Sequence, residues 1–297
     1  MGGSWSSPAY HNGSVYTSTG KDTWKINAAD GTVDWKFVNP SGHASCNGGP
    51  TIADGKVFCG DWDGNHYYCV HEDNGVLNWT FTVTGYVQGT PAYEDGLVYL
   101  TSWSDGDAVK GHMYCVNATD GTQIWHNNKI AQNCCGSPSI GDDKIYVTTY
   151  NFYGYGELLA LSKETGDILW QKSIERTDST PILAYGNVYL TGGCSGYSDH
   201  RTYCFNAQTG DLIWQTDTAD DIGGWTCTVA LQTVKYTSVA NRQPITLTMT
   251  GHSPLTPTPV RPSGGIRRAE RHRLSMTGGY SLSETTAGSI ASARPAR

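Results

Sequence analysis

The residues able to do chemistry in this 297-residue chain are thinly spread. Nine cysteines are many for a reduced compartment, and none forms the Cys-x-x-Cys pair that holds zinc. Cysteine at this density reads as the disulfide framework of an exported protein. Cys59 and Cys69 flank one hairpin, and Cys194 and Cys204 repeat the ten-residue spacing around a longer loop. Read in register with the shorter hairpin near the N-terminus, which sets Thr17 opposite Lys25, Cys59 falls opposite Cys69. A cross-strand disulfide is expected there, with a weaker case for Cys194 and Cys204. Asp61-x-Asp63-x-Asn65 begins like a calcium loop but lacks the distal glutamate, so a hairpin turn is the expectation. His66 and His71 are five apart and do not share a strand face, which argues against a metal pair. Of the sequons at Asn12, Asn78 and Asn117, only Asn12 stands clear of structural positions as a glycosylation candidate. No nucleophile–base pair, phosphate loop or metal cluster is legible. The chain therefore reads as a binding protein more than an enzyme, with no catalytic residue assigned.

Charge narrows the partner. Residues 1–230 hold 11 Lys+Arg against 25 Asp+Glu, whereas residues 231–297 hold 9 against 2. An acidic body argues against nucleic acid. No apolar run is long enough to span a membrane, and no signal peptide is visible in this chain. The localisation expected from the cysteines is extracellular, or on the cell surface or envelope.

The elements that position these residues are written five times over. Val116 to Trp125 (Val-Asn-Ala-Thr-Asp-Gly-Thr-Gln-Ile-Trp) recurs at Ile26–Trp35, Val70–Trp79, Leu161–Trp170 and Phe205–Trp214. Gly31, Gly75, Gly121, Gly166 and Gly210 each precede Trp35, Trp79, Trp125, Trp170 and Trp214 by four residues. A period of about 45 residues belongs to a propeller blade. Each repeat opens on a proline-bearing strand, turns at Asn-Gly or Asp-Gly, and continues in a β-branched and aromatic strand. The expected fold is all-β, a β-propeller of four-stranded antiparallel blades. Repeats fall at about 5–44, 45–86, 87–132, 133–176 and 177–223, with a partial sixth at 224–230, so the ring is expected to be incomplete. A blade cannot bury both faces alone, so each indole is expected to lie on the glycine turn of a neighbouring blade. Unmet blade edges would then favour self-association.

The Thr-Gly-x-x-x-Trp pattern following a Val-Tyr strand resembles the pyrroloquinoline-quinone-type, tryptophan-docking repeat, over residues 5 to about 230. Relatives include quinoprotein alcohol dehydrogenases, an outer-membrane assembly lipoprotein and many surface proteins. The resemblance implies the propeller fold and leaves activity open. In some quinoprotein dehydrogenases a disulfide between adjacent cysteines stacks on the quinone, which makes Cys134-Cys135 a cofactor candidate by resemblance. Cys134 is also simply the repeat equivalent of Cys46. No calcium ligands, base or cationic clamps for that cofactor can be assigned. The leading expectation is a non-enzymatic secreted or cell-surface propeller that binds a protein or glycan and needs no cofactor. The alternatives are a fragment of a dehydrogenase dependent on pyrroloquinoline quinone and calcium, and an envelope assembly scaffold.

After Ala230 the repeat dissolves. Residues 231–297 contain no Trp or Phe and are expected to be a disordered basic tail, either a low-complexity segment or an out-of-frame translation. The second reading has a specific motive: Leu231 to Thr237, back-translated and shifted by one base, can read Ala-Asp-Gly-Lys-Val-Tyr. That is the strand-opening motif seen in frame at Ala53 to Phe58. Sequencing the gene across codon 230 is expected to show an open alternative frame carrying further repeats; a single intact frame would sink this reading.

Overall fold

The computed structural model describes residues 6–44, 48–62, 64–104, 109–151, 154–224, 228–233 and 245–250. The chain divides into Met1–Pro259 and Val260–Arg297. The second unit, most of the expected tail, Cys46 and Cys227 lie outside the described residues, and the architecture below is that of the first unit.

Five antiparallel sheets follow one another, each a simple meander of four consecutive strands. Blade one is Ala9–His11, Ser14–Thr19, Asp22–Asn27 and Val33–Val38; blade two is Thr51–Ala53, Lys56–Gly60, His66–His71 and Leu77–Thr82. Blade three is Ala92–Glu94, Leu97–Trp103, Gly111–Asn117 and Gln123–Ile130, with the short strand Tyr86–Val87 added to its second strand. Blade four is Ser139–Ile140, Lys144–Tyr150, Gly156–Ser162 and Ile168–Ile174; blade five is Ile182–Ala184, Asn187–Cys194, Ser198–Asn206 and Leu212–Gln215. Thr228–Thr233 then pairs with Ile245–Thr250 in a two-stranded sheet.

The core is a stack of layers between blades. Second and third strands are buried on both faces, as in Leu97–Trp103 and Gly111–Asn117, whereas the outer strand Leu77–Thr82 buries mainly Trp79. Phe58, Tyr67, Cys69 and Trp79 of blade two pack on Val98, Leu100, Tyr114 and Val116 of blade three. Tyr99, Met113, Cys115 and Trp125 of blade three pack in turn on Ile145, Val147, Leu159 and Leu161 of blade four.

One contact is repeated at every described interface. The indoles of Trp35, Trp79, Trp125 and Trp170 lie on Gly75, Gly121, Gly166 and Gly210 of the following blade. A Cβ on those glycines would come within 2.8, 2.9, 2.5 and 2.7 Å of the respective rings. Each indole Nε1 donates to a carbonyl of the same turn: Glu72 at 2.9 Å, Ala118 at 3.0 Å, Lys163 at 3.1 Å and Gln208 at 3.1 Å. Within its own blade each ring meets a second-strand aromatic, for example Trp125 on Tyr99 at 5.9 Å. Gly31 differs: among the described residues nothing lies within 4 Å of its absent side chain. Trp214 packs on Tyr189, beside a layer that Val229 completes.

The register corrects the two disulfide expectations. Tyr16, not Thr17, stands opposite Lys25, and Thr17 faces Trp24. The same one-residue slip pairs Cys69 with Phe58 and Cys59 with Tyr68. Because alternate residues of a strand face opposite ways, Cys69 lies in the layer between blades two and three and Cys59 in that between blades one and two. Cys204 stands opposite Tyr189, five residues before Cys194, while Cys194 faces Ser198. Five residues of strand span about 15 Å, beyond the reach of a disulfide. All four are thiols, and burial pushes Cys69 up to about 11 and Cys59 to about 12.

Trp79→Ala is expected to cost about 3–5 kcal/mol in urea unfolding. Gly121→Ala should cost more than Gly31→Ala. Both residues have φ near +75°, but only at Gly121 would the new methyl strike an indole.

Candidate functional site on the loop end of the blades

In a four-stranded meander, the loop between strands two and three and the connector to the next blade leave from the same end. That end gathers the irregular backbone and the side chains that blade packing does not consume. The strand-opening prolines mark where each connector turns inward, and the residue three before the proline occupies one repeated position. This position is Gln88 before Pro91, Cys135 before Pro138 and Asp178 before Pro181. The structure brings the first and third together: Gln88 Nε2 donates to Asp178 Oδ2 at 3.0 Å across 90 residues of chain.

Arg176, two residues before Asp178, is 3% exposed. Its guanidinium carbon lies 5.3 Å from the ring centre of Tyr150 and 5.2 Å from that of Tyr197. Such stacking holds a desolvated cation that the acidic body would otherwise keep in water. Asp178 retains some accessible surface, yet desolvation pushes its carboxyl up to about 7, outweighing the pull of Arg176 and Gln88. Tyr150 is raised far above its ordinary range, by burial first and by Cys135 second. The cluster thus joins a caged cation, an acid tuned to neutral pH and an amide. Tyr197, also exposed, carries it to the surface, and Trp62, Tyr86 and Tyr155 are the exposed aromatics elsewhere on these loops.

The residues singled out by sequence fall as follows. Cys134 is fully buried in the apolar layer with Tyr99, Met113, Cys115 and Ile130, and Cys135 lies against Tyr150. No disulfide joins the two. With one thiol committed to the core, the pair does not form a flat surface for a quinone, so the residues present do not fit that cofactor. Among the described residues no group of three His, Cys, Asp or Glu side chains could hold a metal. Asp61 is a fully buried anchor for its own hairpin, accepting from the His66 amide at 2.7 Å, Ser41 Oγ at 2.8 Å and Tyr68 OH at 3.1 Å; Asp63 lies outside the described residues. Asn12 is exposed with φ 46°, in the first turn of blade one at the opposite end. No helix of the described residues is long and apolar enough to cross a membrane. Tyr150 and Tyr197 fall in the Tyr-, Gly- and Ser-rich loops 150–157 and 192–201, which read equally as recognition loops or solvated hairpins. Sequence reasoning passed over Gln88, Arg176 and Asp178; the available signal for Gln88 and Asp178 was the repeated position before the proline, whose residue changes from blade to blade.

Comparison with known proteins agrees with this architecture. The family described as outer membrane protein assembly factor BamB matches residues 19–134 and 109–250. BamB of Nitrosomonas eutropha is 24% identical over 229 residues, covering 73% of this chain and 52% of that protein. Quinohemoprotein alcohol dehydrogenase ADH IIB of Pseudomonas putida is 27% identical over 149 residues, covering 43% of this chain and 20% of that protein. Among solved structures, BamB of Moraxella catarrhalis superposes with a TM-score of 0.57 at 15% identity, covering 73% of this chain and 62% of that one. The quinohemoprotein alcohol dehydrogenase of Comamonas testosteroni gives 0.57 at 14%, covering 72% and 43%. The chain spans about half the length of the Nitrosomonas relative. With matched segments running from residue 19 to residue 250 and five blades of the corresponding fold, the chain belongs to the BamB family of β-propeller repeat proteins.

Proposed function

We propose that this chain is a protein-binding propeller segment of a cell-envelope assembly scaffold, engaging its partner through the loop end that carries Arg176 and Asp178. The observation behind this reading is that the caged Arg176, the Gln88–Asp178 contact and the exposed aromatics Trp62, Tyr86, Tyr155 and Tyr197 share that end, while Tyr10, Tyr185 and the buried Lys144 lie at the other. Recognition needs such groups: aromatic and arginine side chains are the usual anchors of protein interfaces. Family membership supports an envelope role, since the relatives' name describes outer membrane protein assembly. It also ranks the assembly reading ahead of a secreted receptor for a glycan. The quinone-dependent reading is motivated by the alcohol dehydrogenases among the relatives, and the placement of Cys134 weighs against it. Adding pyrroloquinoline quinone and calcium is therefore expected to leave the cofactor's absorbance spectrum unchanged; a spectral change would revive that reading.

Partner capture from envelope extracts is the direct test. A protein retained by the wild-type chain should be lost from a Tyr155→Ser, Tyr197→Ser double variant, whose changes fall on exposed loops. Retention by both chains, or by neither, would overturn the assignment to this face.

Asp178 adds a pH signature. Its carboxyl moves from an ordinary 3.8 to about 7 in the fold. Between those values the unfolded chain has released the proton that the folded chain keeps, so stability falls as pH rises through this window. Thermal unfolding from about pH 4 to about pH 8 should show that decline in the wild type and a flatter profile in Asp178→Asn.

A further inference from the structure

Blade five carries a second constellation on the same end, adjoining the first through Tyr197, whose ring stacks on Arg176. Ser195 Oγ lies 3.3 Å from His200 Nε2, and His200 Nδ1 lies 2.7 Å from Asp221 Oδ1. A hydroxyl, an imidazole and a carboxylate in that order, each ring nitrogen facing a different partner, is the geometry of a serine nucleophile with its base and orienting acid. The carboxylate holds Nδ1 as the protonated nitrogen and leaves the Nε2 lone pair toward the hydroxyl. A nucleophile–base distance of 3.3 Å is within the looser range of hydrolases without substrate.

The backbone is shaped around these groups. Ser195 occupies the second position of the turn from Cys194 to Tyr197, closed by Tyr197 N–H on Cys194 O at 2.9 Å. Gly196 takes φ +82° at the third. That single hydrogen bond leaves the amides of Ser195 and Gly196 outside the turn, and the amide following a nucleophilic serine is a recurrent oxyanion donor. Gly193, at φ +121°, admits the imidazole: a Cβ there would come 2.6 Å from His200 Cδ2. Asp221 is held at φ 51° as the cap of the short helix Thr218–Asp220, its own N–H bonded to Thr218 O at 3.2 Å. Ser195 is exposed, and exposed Tyr197 stands two residues on.

We infer that Ser195, His200 and Asp221 form a hydrolytic site for neutral, short-chain carboxylic esters. Ser195 Oγ adds to the ester carbonyl carbon while its proton passes to His200 Nε2. The tetrahedral oxyanion collapses, the C–O bond to the alcohol breaks, and His200 returns the proton to the departing alcohol. Water, deprotonated by His200, then attacks the acyl carbon; the bond from that carbon to Ser195 Oγ breaks, His200 returns the proton to Oγ, and the carboxylic acid departs. Asp221 positions the imidazole and takes no proton. Asp199 is close enough to Glu175 to raise its carboxyl, and Asp217 and Asp220 belong to the short helix that Asp221 caps, against the cations Arg201 and Arg176. Carboxylates outnumber cations here, which disfavours anionic substrates, and the exposed ring of Tyr197 suits a small acyl group. The site shares Tyr197 with the proposed binding face, but its readouts, adduct formation and ester turnover, require no partner.

A fluorophosphonate probe and p-nitrophenyl acetate, applied to the full chain, test it. The phosphonyl adduct should map to Ser195 by peptide mass spectrometry and vanish in Ser195→Ala. Nitrophenolate release should fall about 10²-fold in His200→Gln, and Asp221→Asn should lower kcat while leaving KM in place. Ser195→Ala alters only an exposed turn, and unchanged tryptophan emission will establish that each variant is folded. No adduct on the wild-type chain, an adduct elsewhere, or labelling as fast in His200→Gln would overturn the inference and reduce the three residues to a polar turn.

Discussion

Everything in this molecule depends on an indole lying across a glycine that belongs to the next blade. The contact combines apolar burial with one directional bond, from the ring N–H to a turn carbonyl, so it fixes distance and rotation together. A β-sheet of four strands has two faces to cover and little else to cover them with. Stacking along the sequence resolves this, since each interface is built from adjacent repeats. Stability is then close to a sum of nearest-neighbour terms, as in other repeat architectures. The glycines carry a double requirement: φ near +75° to reverse the chain and no Cβ, so that the ring can approach.

This division of labour frees one end of the blades. Second and third strands are consumed by packing on both faces, and outer strands by holding the tryptophan. Connectors and hairpin loops on the far side of the glycine turns have no such duty. There, polar residues can be positioned for geometry rather than stability, as with the buried Arg176 between two tyrosines, the half-buried Gln88 on Asp178, and His200 between the exposed Ser195 and Asp221.

Much of the fold was legible in the sequence because its determinants are periodic. Tryptophans at 35, 79, 125, 170 and 214 announce blades whatever lies between them. Register was less legible: a misreading by one residue at Thr17 moved Cys59 across its sheet and created a disulfide that the pleat forbids. The loop-end clusters were nearly invisible because their members come from different repeats. Gln88 and Asp178 are 90 residues apart and meet only because two connectors turn toward each other. Ser195, His200 and Asp221 are closer in sequence, but their alignment depends on two left-handed backbone positions that residue types alone do not specify.

The Gln88–Asp178 bond has a mechanical meaning of its own. In a row of blades joined only to immediate neighbours, a twist at one junction need not be felt at the next. This bond ties the connector before blade three to the connector before blade five, bypassing the one between them. Three blades thereby become a braced triangle rather than a hinged row. Desolvation pushes the acceptor carboxyl up to about 7, so the same bond is made to a neutral acid below that pH and to a carboxylate, a stronger acceptor, above it.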